Sequence, residues 1–372
     1  MNYRSRWQQR RRRDARRRFL VVAALLAVVI AIAATRRHQA DRVWLHDFRF
    51  LRPVLFAASG DRLLCASPVG SAHCLNIKTG EPIWRAPLKA SRGFCAPPAV
   101  TSSKAVYVND NGTMTVVSCS TGDVLWQIGT ARPMRCSPVI YHGIIYVGGD
   151  DGNVYALRLR DGMELWRRDV GAPISSSVMP SAGTLIFGTA DGRILGLRAA
   201  NGKPASWRHK TVGDALHGDP VALSEGVAIG ADNGRVYFIE PKLGEMAASI
   251  ALPGSGLVRT AALADDGAIY SATTDGWVAA YSRAAAAGGP AGVRRWARRI
   301  GKEVSAGPVM DADYIYCGNG TRYVLALSKA TGRPVQRWKC PATARGSLLV
   351  ESGLLIASTA AGQVVAFRAP AL

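Results

Sequence analysis

A chain of 372 residues, 48% of them hydrophobic, can bury a large core, either as two or three domains or as one large all-β domain. The formal net charge of +21 is unevenly placed: residues 1–37 hold eleven Arg and one Asp, so residues 38–372 keep 36 basic and 25 acidic residues. About half of the excess therefore sits in a short leader, whose polybasic run is read as topogenic beside its apolar neighbour, with nucleic-acid binding or a solvated charge block as the alternatives, and the rest stays moderately basic at +11.

Residues 1–18 form an Arg-rich segment, "RSRWQQRRRRDARRR", followed by the uncharged run Phe19 to Thr35. Seventeen residues at ~1.5 Å rise span roughly 25 Å, the short end of a membrane helix. The positive-inside rule keeps residues 1–18 cytoplasmic and sends everything beyond the linker at 36–40 across the membrane. The expectation is a single-pass inner-membrane anchor at 19–35 with residues 41–372 periplasmic. A cleaved, secreted form is the alternative, because "AIAA" (Ala31 to Ala34) offers small residues at a cleavage site. "RRRFL" (Arg16 to Leu20) also resembles a twin-arginine signal, and no Cys precedes Cys65 to serve as a lipoprotein anchor.

Beyond residue 40 a Trp recurs at Trp84, Trp126, Trp166, Trp207, Trp296 and Trp338, with gaps of 42, 40, 41, 89 and 42. The gap of 89 is two periods with one Trp missing, near Ala248. Each repeat carries a β-rich run, a polar Gly turn, a second β-run and another Gly turn, cleanest in "IIYVGGDDGNVYALRLRDGMELW". Asp-Gly pairs such as Asp151-Gly152, Asp191-Gly192 and Asp275-Gly276 supply the positive φ of tight hairpins. With the small-residue and Pro segments between repeats ("CSPVI", "GDPVAL", "AGPVM"), each repeat holds about four short strands, the period of a propeller blade.

The unit "CLNIKTGEPIW" (Cys74 to Trp84), with "VVSCSTGDVLW", "ALRLRDGMELW" and the looser "ALSKATGRPVQRW", resembles the tryptophan-docking motif of the PQQ-like, quinoprotein-like propeller family. The resemblance covers residues 41–372 and implies structural docking by Trp44, Trp84, Trp126, Trp166, Trp207, Trp296 and Trp338. Arg158 and Arg198 stand where the family has Asp or Asn, which puts some inter-blade hydrogen bonds in question. Hairpins fall after Leu63, Val106, Ile145, Leu185, Val227, Ile269, Ile315 and Leu355. They predict an all-β, eight-bladed β-propeller of four-stranded blades. The last copy, "GQVVAFRAPAL", stops before its outer strand, and Trp44 lies one period, 40 residues, before Trp84. The segment around Trp44 is therefore expected to complete the last blade and close the ring, removing its exposed edge.

Chemistry is sparse. The family's dehydrogenases hold PQQ over calcium beneath a disulfide of adjacent cysteines, and this chain has no Cys-Cys pair. His217-Gly-Asp219 and Asp311-Ala312-Asp313 lack the ligand density of a calcium loop, and the six His show no zinc spacing. No catalytic, cofactor or metal residue is assigned. Among the seven Cys, Cys65 and Cys74 flank the first hairpin and are the candidate disulfide, with two small buried residues as the other reading. Cys95 and Cys136 occupy matching inner-strand positions as candidate channel thiols. The sixth repeat inserts "SRAAAAGGPAGVRRWARRIGK", whose Arg294, Arg295, Arg298, Arg299 and Lys302 form a candidate partner-binding loop around Trp296. The sequence thus points to a non-catalytic scaffold binding protein partners in a cell-envelope complex. Length and blade count resemble the family's outer-membrane assembly factors. Nucleic acid is excluded by compartment, and anionic lipid or cell-wall polymer is the other partner class. A small PQQ-dependent oxidoreductase is the alternative function.

Overall fold

The computed structural model describes residues 41–370, apart from 89–92, 131, 206–209, 224–225, 241–243, 259–262, 265–267 and 283–292. The chain divides into Met1–Val43, of which only residues 41–43 are described, and Trp44–Leu372, which carries the repeats. The expected leader (1–18), apolar segment (19–35) and linker (36–40) lie outside the described residues. Among the described residues every regular element is a strand, and no helix is long and apolar enough to cross a membrane.

The strands form six four-stranded sheets and one eight-stranded sheet. Each four-stranded sheet is an antiparallel meander, as in Val139–Tyr141, Ile144–Gly148, Asn153–Arg158 and Glu164–Asp169. The Asp151-Gly152 turn sets its register. Gly152 sits at φ +79°, Gly149 N–H donates to the Asn153 carbonyl at 3.0 Å, and Val147 then faces Tyr155. A bulge between Ala156 and Leu157 places Trp166 opposite Ala156. The two middle strands are buried along most of their length, while the outer strand is mostly exposed. Middle strands covered on both faces lose the polar alternation of a one-sided sheet, which explains runs such as "IIYVG".

The core is a series of layers between successive sheets. One layer joins Tyr146, Val154 and Ala156 of this sheet to Leu185, Phe187 and Leu197 of the next. First strands also meet: Leu55–Ser59 lies against both Ala99–Val100 and Ala344–Glu351, so the first sheet neighbours the last. The eight-stranded sheet arises where Ala306–Met310 and Ala344–Glu351 pair in parallel at Ala306 and Gly346, fusing two four-stranded meanders.

One of those meanders is completed from the other end of the chain. Strand Arg42–Asp47 is hydrogen-bonded beside Gln363–Arg368, outside Leu354–Thr359. Phe48 N–H donates to the Gly362 carbonyl at 3.3 Å, and the Gln363 amide donates to Asp47 at 3.2 Å. The segment after the strand then packs on the first sheet, with Phe48 edge-on to His73 at 4.9 Å and His46 against Phe48 at 4.5 Å.

Burial, then the positive charges of Arg85 and His46, pull the His73 pKa down from 6.5 to about 4. The unfolded chain takes up this proton near pH 6.5 and the folded chain only near pH 4, so acidification between those values favours unfolding. We expect the melting temperature to fall from pH 7 to pH 4, and the slope to be shallower in His73→Gln. An unchanged slope in that variant would assign the acid sensitivity to other groups. Asp47, whose pKa is lowered chiefly by the Arg49 N–H bond, acts only below its ordinary value of 3.8.

Candidate functional site

Five of the repeated Trp make one geometry. The indole N–H of Trp44 donates to the Ile77 carbonyl at 3.0 Å, Trp84 to Cys119 at 2.9 Å, and Trp126 to Leu159 at 3.1 Å. Trp166 donates to Ala199 at 3.1 Å and Trp296 to Lys329 at 2.7 Å. In each case the acceptor is the residue that follows the third strand of the next sheet, and the ring lies on the Gly three residues beyond it. A Cβ on Gly122 would stand 2.6 Å from Trp84, and one on Gly162 2.8 Å from Trp126. The Thr-Gly or Asp-Gly of the motif thus serves two purposes: a positive φ and a flat seat for the preceding Trp.

Arg158 does not weaken this seat. The turn closes through its backbone, with Gly162 N–H donating to the Arg158 carbonyl at 2.8 Å, while Asp161 accepts from Met163 N–H at 3.2 Å. Trp207 lies outside the described residues. Ala248 pairs in register with Phe238 as Trp166 pairs with Ala156, so it holds the Trp position of the fifth repeat.

Trp338 departs from the expected role. Gln336, not Trp338, faces Ala326, and Trp338 lies two residues further along, opposite Val324. A two-residue slip leaves a side chain on the same face of a strand, so Trp338 still enters the layer before the last meander, between Tyr316 and Phe367. It is 1% exposed, yet its indole nitrogen has no hydrogen-bond partner among the described residues. The sequence signal is the spacing: six residues separate Gly332 from Trp338, against four from Gly162 to Trp166. An unpaired buried N–H costs about 1–3 kcal/mol, whereas a paired one contributes about 1 kcal/mol. Trp338→Phe should therefore be neutral or stabilising, and Trp166→Phe should lose about 1 kcal/mol in denaturant titrations. Equal losses in the two would contradict the assignment.

The Cys65–Cys74 disulfide is also corrected. The first hairpin turns at Ser67 to Ser71, with Gly70 at φ +85°, so Cys65 faces His73 and Cys74 faces Leu64. The one-residue offset sends the two thiols to opposite faces: Cys65 packs with Trp44 and Leu75, and Cys74 with Tyr107 and Cys119. Both are free, and burial pushes the Cys74 thiol up to about 12. Nor do Cys95 and Cys136 match. Each lies ahead of its first strand, four residues before Ala99 and three before Val139; Cys95 is exposed and Cys136 buried.

Those pre-strand segments and the adjoining hairpin turns carry most of the remaining charge chemistry. Arg135 bridges two sheets, its Nε at 2.9 Å from Asp110 and its Nη1 at 2.5 Å from Asp150. His217 Nδ1 lies 2.9 Å from Asp232, and Asp219 accepts from the N–H and hydroxyl of Ser177 at 2.9 and 2.6 Å. Asp311 caps its own turn, accepting from Asp313 and Tyr314 N–H groups and from the Tyr316 hydroxyl. Among the described residues no three His, Cys, Asp or Glu are arranged to hold a metal. A quinone cofactor over calcium needs free carboxylates and a free aromatic face. Here Asp110, Asp150, Asp219 and Asp232 are engaged, and the five docked indoles are committed to the seams between sheets, so these residues do not fit such a group.

Four of the five basic residues expected in a loop lie in a strand. Arg294–Arg299 is the outermost strand of its sheet, after Leu263–Ala264, Ala268–Ala272 and Trp277–Ser282, and the inserted residues 283–292 precede it outside the described residues. Arg294, Arg295, Arg298 and Arg299 are exposed and Trp296 is buried; Lys302 follows the strand on the surface. Loop and strand are hard to distinguish here because an Arg-rich outer strand shows no apolar alternation, its single anchor being Trp296.

Four-stranded antiparallel meanders stacked face to face, with Trp-on-Gly seams, define the PQQ-like repeat class of β-propeller. The chain belongs to the family described as outer membrane protein assembly factor BamB, whose model matches residues 28–177, 134–266 and 274–370. No curated protein sequence matches it. Among solved structures it is similar to BamB from Moraxella catarrhalis, with 19% identity, TM-score 0.74, and 88% of this chain and 99% of that one covered. The computationally designed Ika8 protein is similar at 15% identity and TM-score 0.76, with 88% and 99% covered. The quinohemoprotein alcohol dehydrogenase from Comamonas testosteroni has 11% identity and TM-score 0.69, with 89% of this chain and 77% of that one covered. At these identities the likenesses establish the fold.

Proposed function

We propose that this protein is a non-catalytic scaffold that holds protein partners in a cell-envelope complex. Its propeller has eight blades, with the eight-stranded sheet counted as two, and is carried outside the cytoplasm by an inner-membrane anchor at residues 19–35. The observation that carries the reading is the family match, which spans nearly the whole propeller. The engaged state of the inner carboxylates and docked indoles agrees with it, because they are committed to structure. The partner-facing patch is the outer strand Arg294–Arg299 with Lys302: its exposed arginines are of the residue type enriched in interface hot spots, while the buried Trp296 anchors the strand from within. The test is cross-linking and pull-down from membranes, with the mature N-terminus mapped in the same sample. A reproducible envelope protein partner on an intact N-terminus supports scaffold and anchor; a partner-free protein overturns the scaffold, and cleavage near Ala34 overturns the anchor.

A small PQQ-dependent oxidoreductase is the second reading, favoured by the fold likeness to a quinohemoprotein alcohol dehydrogenase. Tight PQQ binding would raise the melting temperature by mass action. We expect no shift with PQQ and calcium together; a saturable, calcium-dependent rise would replace the scaffold reading.

A further inference from the structure

We propose that the outer edge of strand Arg294–Arg299 binds an acidic, extended polypeptide as an added strand. The inference rests on the scaffold reading and specifies its partner. The strand is last in its sheet, so its outward N–H and C=O groups have no neighbouring strand among the described residues. Inward it pairs Arg299 with Trp277, Arg298 with Val278, Ala297 with Ala279 and Trp296 with Ala280, and a bulge then brings Arg294 opposite Tyr281.

Its charge separates it from the other outer strands. Four of its six residues are Arg and none is acidic. Pro82–Pro87 has one Arg, and Val124–Gly129 has none. Glu164–Asp169 offsets its two Arg with Glu164 and Asp169, and Arg167 lies 3.6 Å from Glu164. Charged side chains on an exposed edge guard it against pairing with apolar or like-charged strands, and leave open pairing with a strand of opposite charge. Three of these cations, Arg294, Arg298 and Arg299, have no carboxylate partner among the described residues and repel one another. An acidic partner would relieve that repulsion through bidentate guanidinium–carboxylate bonds.

The placement favours a strand over a lipid surface. Arg298 and Arg299 are adjacent and both exposed, so their side chains leave the strand on opposite faces. A flat anionic bilayer would meet the cations of one face only. An added strand also alternates its side chains, and two consecutive acidic residues on it answer Arg298 and Arg299 together. Backbone pairing supplies affinity and the carboxylates supply selectivity.

Fluorescence anisotropy on the full chain in detergent tests this with a labelled peptide of about ten residues, repeating Val-Thr-Glu-Asp. Controls are the same peptide N-methylated at alternate residues, and phosphatidylglycerol vesicles. We expect peptide binding that weakens by about tenfold or more on N-methylation and in the Arg294→Glu, Arg298→Glu, Arg299→Glu variant. Amide exchange at residues 294–299 should slow when the peptide is bound. Equal binding of the N-methylated peptide would reduce the effect to charge attraction and overturn the proposal, as would vesicle binding without peptide binding. If the triple variant melts early, the single change Arg298→Gln, expected to weaken binding without loss of stability, takes its place. Unchanged peptide affinity in a stably folded variant also overturns the proposal. If the variant still captures the membrane partner, the scaffold reading stands and this inference alone fails.

Discussion

Trp44→Ala should cost about 3–5 kcal/mol, the range for truncating a buried Trp, and deletion of residues 41–48 should cost more. Trp44 is 7% exposed and its N–H donates to the Ile77 carbonyl. Its ring lies on Gly80, where an added Cβ would stand 2.6 Å away. The same strand carries the outward hydrogen bonds of Gln363–Arg368. Trp44→Ala therefore removes apolar burial and a paired indole, and the deletion removes the cover of an edge strand as well. The measurement is urea denaturation of the variant beside one lacking Ala371 and Leu372, which is expected to stay close to the unmodified chain. Hydrogen exchange should locate the added opening in residues 354–368 and in the first sheet, where Phe48 packs on His73. Comparable losses in the two variants would contradict closure through Trp44.

Much of this fold was legible because repetition amplifies weak local signals. Leu63, Val106, Ile145, Leu185, Val227, Ile269, Ile315 and Leu355, named as the residues before the hairpins, all lie in the second strand of their meanders. Ala248 occupies the place of the missing Trp. The errors came where register depends on a single residue in a turn. In the first hairpin, Val69-Gly70 stands in for Asp151-Gly152, and a difference of one residue in the pairing register separates a Cys65–Cys74 pair from the observed arrangement, in which the two lie on opposite faces. In "TGRPVQRW" the strand takes two extra residues before its Trp. Because a strand repeats every two residues, the pattern looked intact while the docking position passed to Gln336. Composition marks the candidate partner patch but not its strand, since nothing in "RRWARR" except Trp296 signals a face. Arg135 carries no signal in the sequence, because its partners Asp110 and Asp150 belong to two different hairpin turns, a juxtaposition that only the stacking of sheets creates.

Gly122→Ala and Gly143→Ala form the second large test, and their difference isolates what the Trp seat contributes. Both glycines have positive φ, +78° and +74°, so each Ala pays about 1–2 kcal/mol for the left-handed conformation. Around Gly143 there is nothing within 4 Å of the added methyl, and its cost should stop there. At Gly122 the methyl would stand 2.6 Å from Trp84 Cε3 and 2.7 Å from Cδ2, closer than van der Waals contact allows. Either the ring lifts, lengthening its 2.9 Å bond to the Cys119 carbonyl, or the turn retreats and opens the layer containing Cys74, Tyr107 and Cys119. Overpacking of this kind adds about 1–3 kcal/mol, so Gly122→Ala should lose about 2–5 kcal/mol in all. Combining it with Trp84→Ala provides the internal control. With the ring gone the methyl has room, and the double variant should cost clearly less than the sum of the single ones. Strict additivity would mean that Gly122 is required for its φ alone. The docking of each blade on the next would then rest on the indole hydrogen bond and not on the flat seat beneath it.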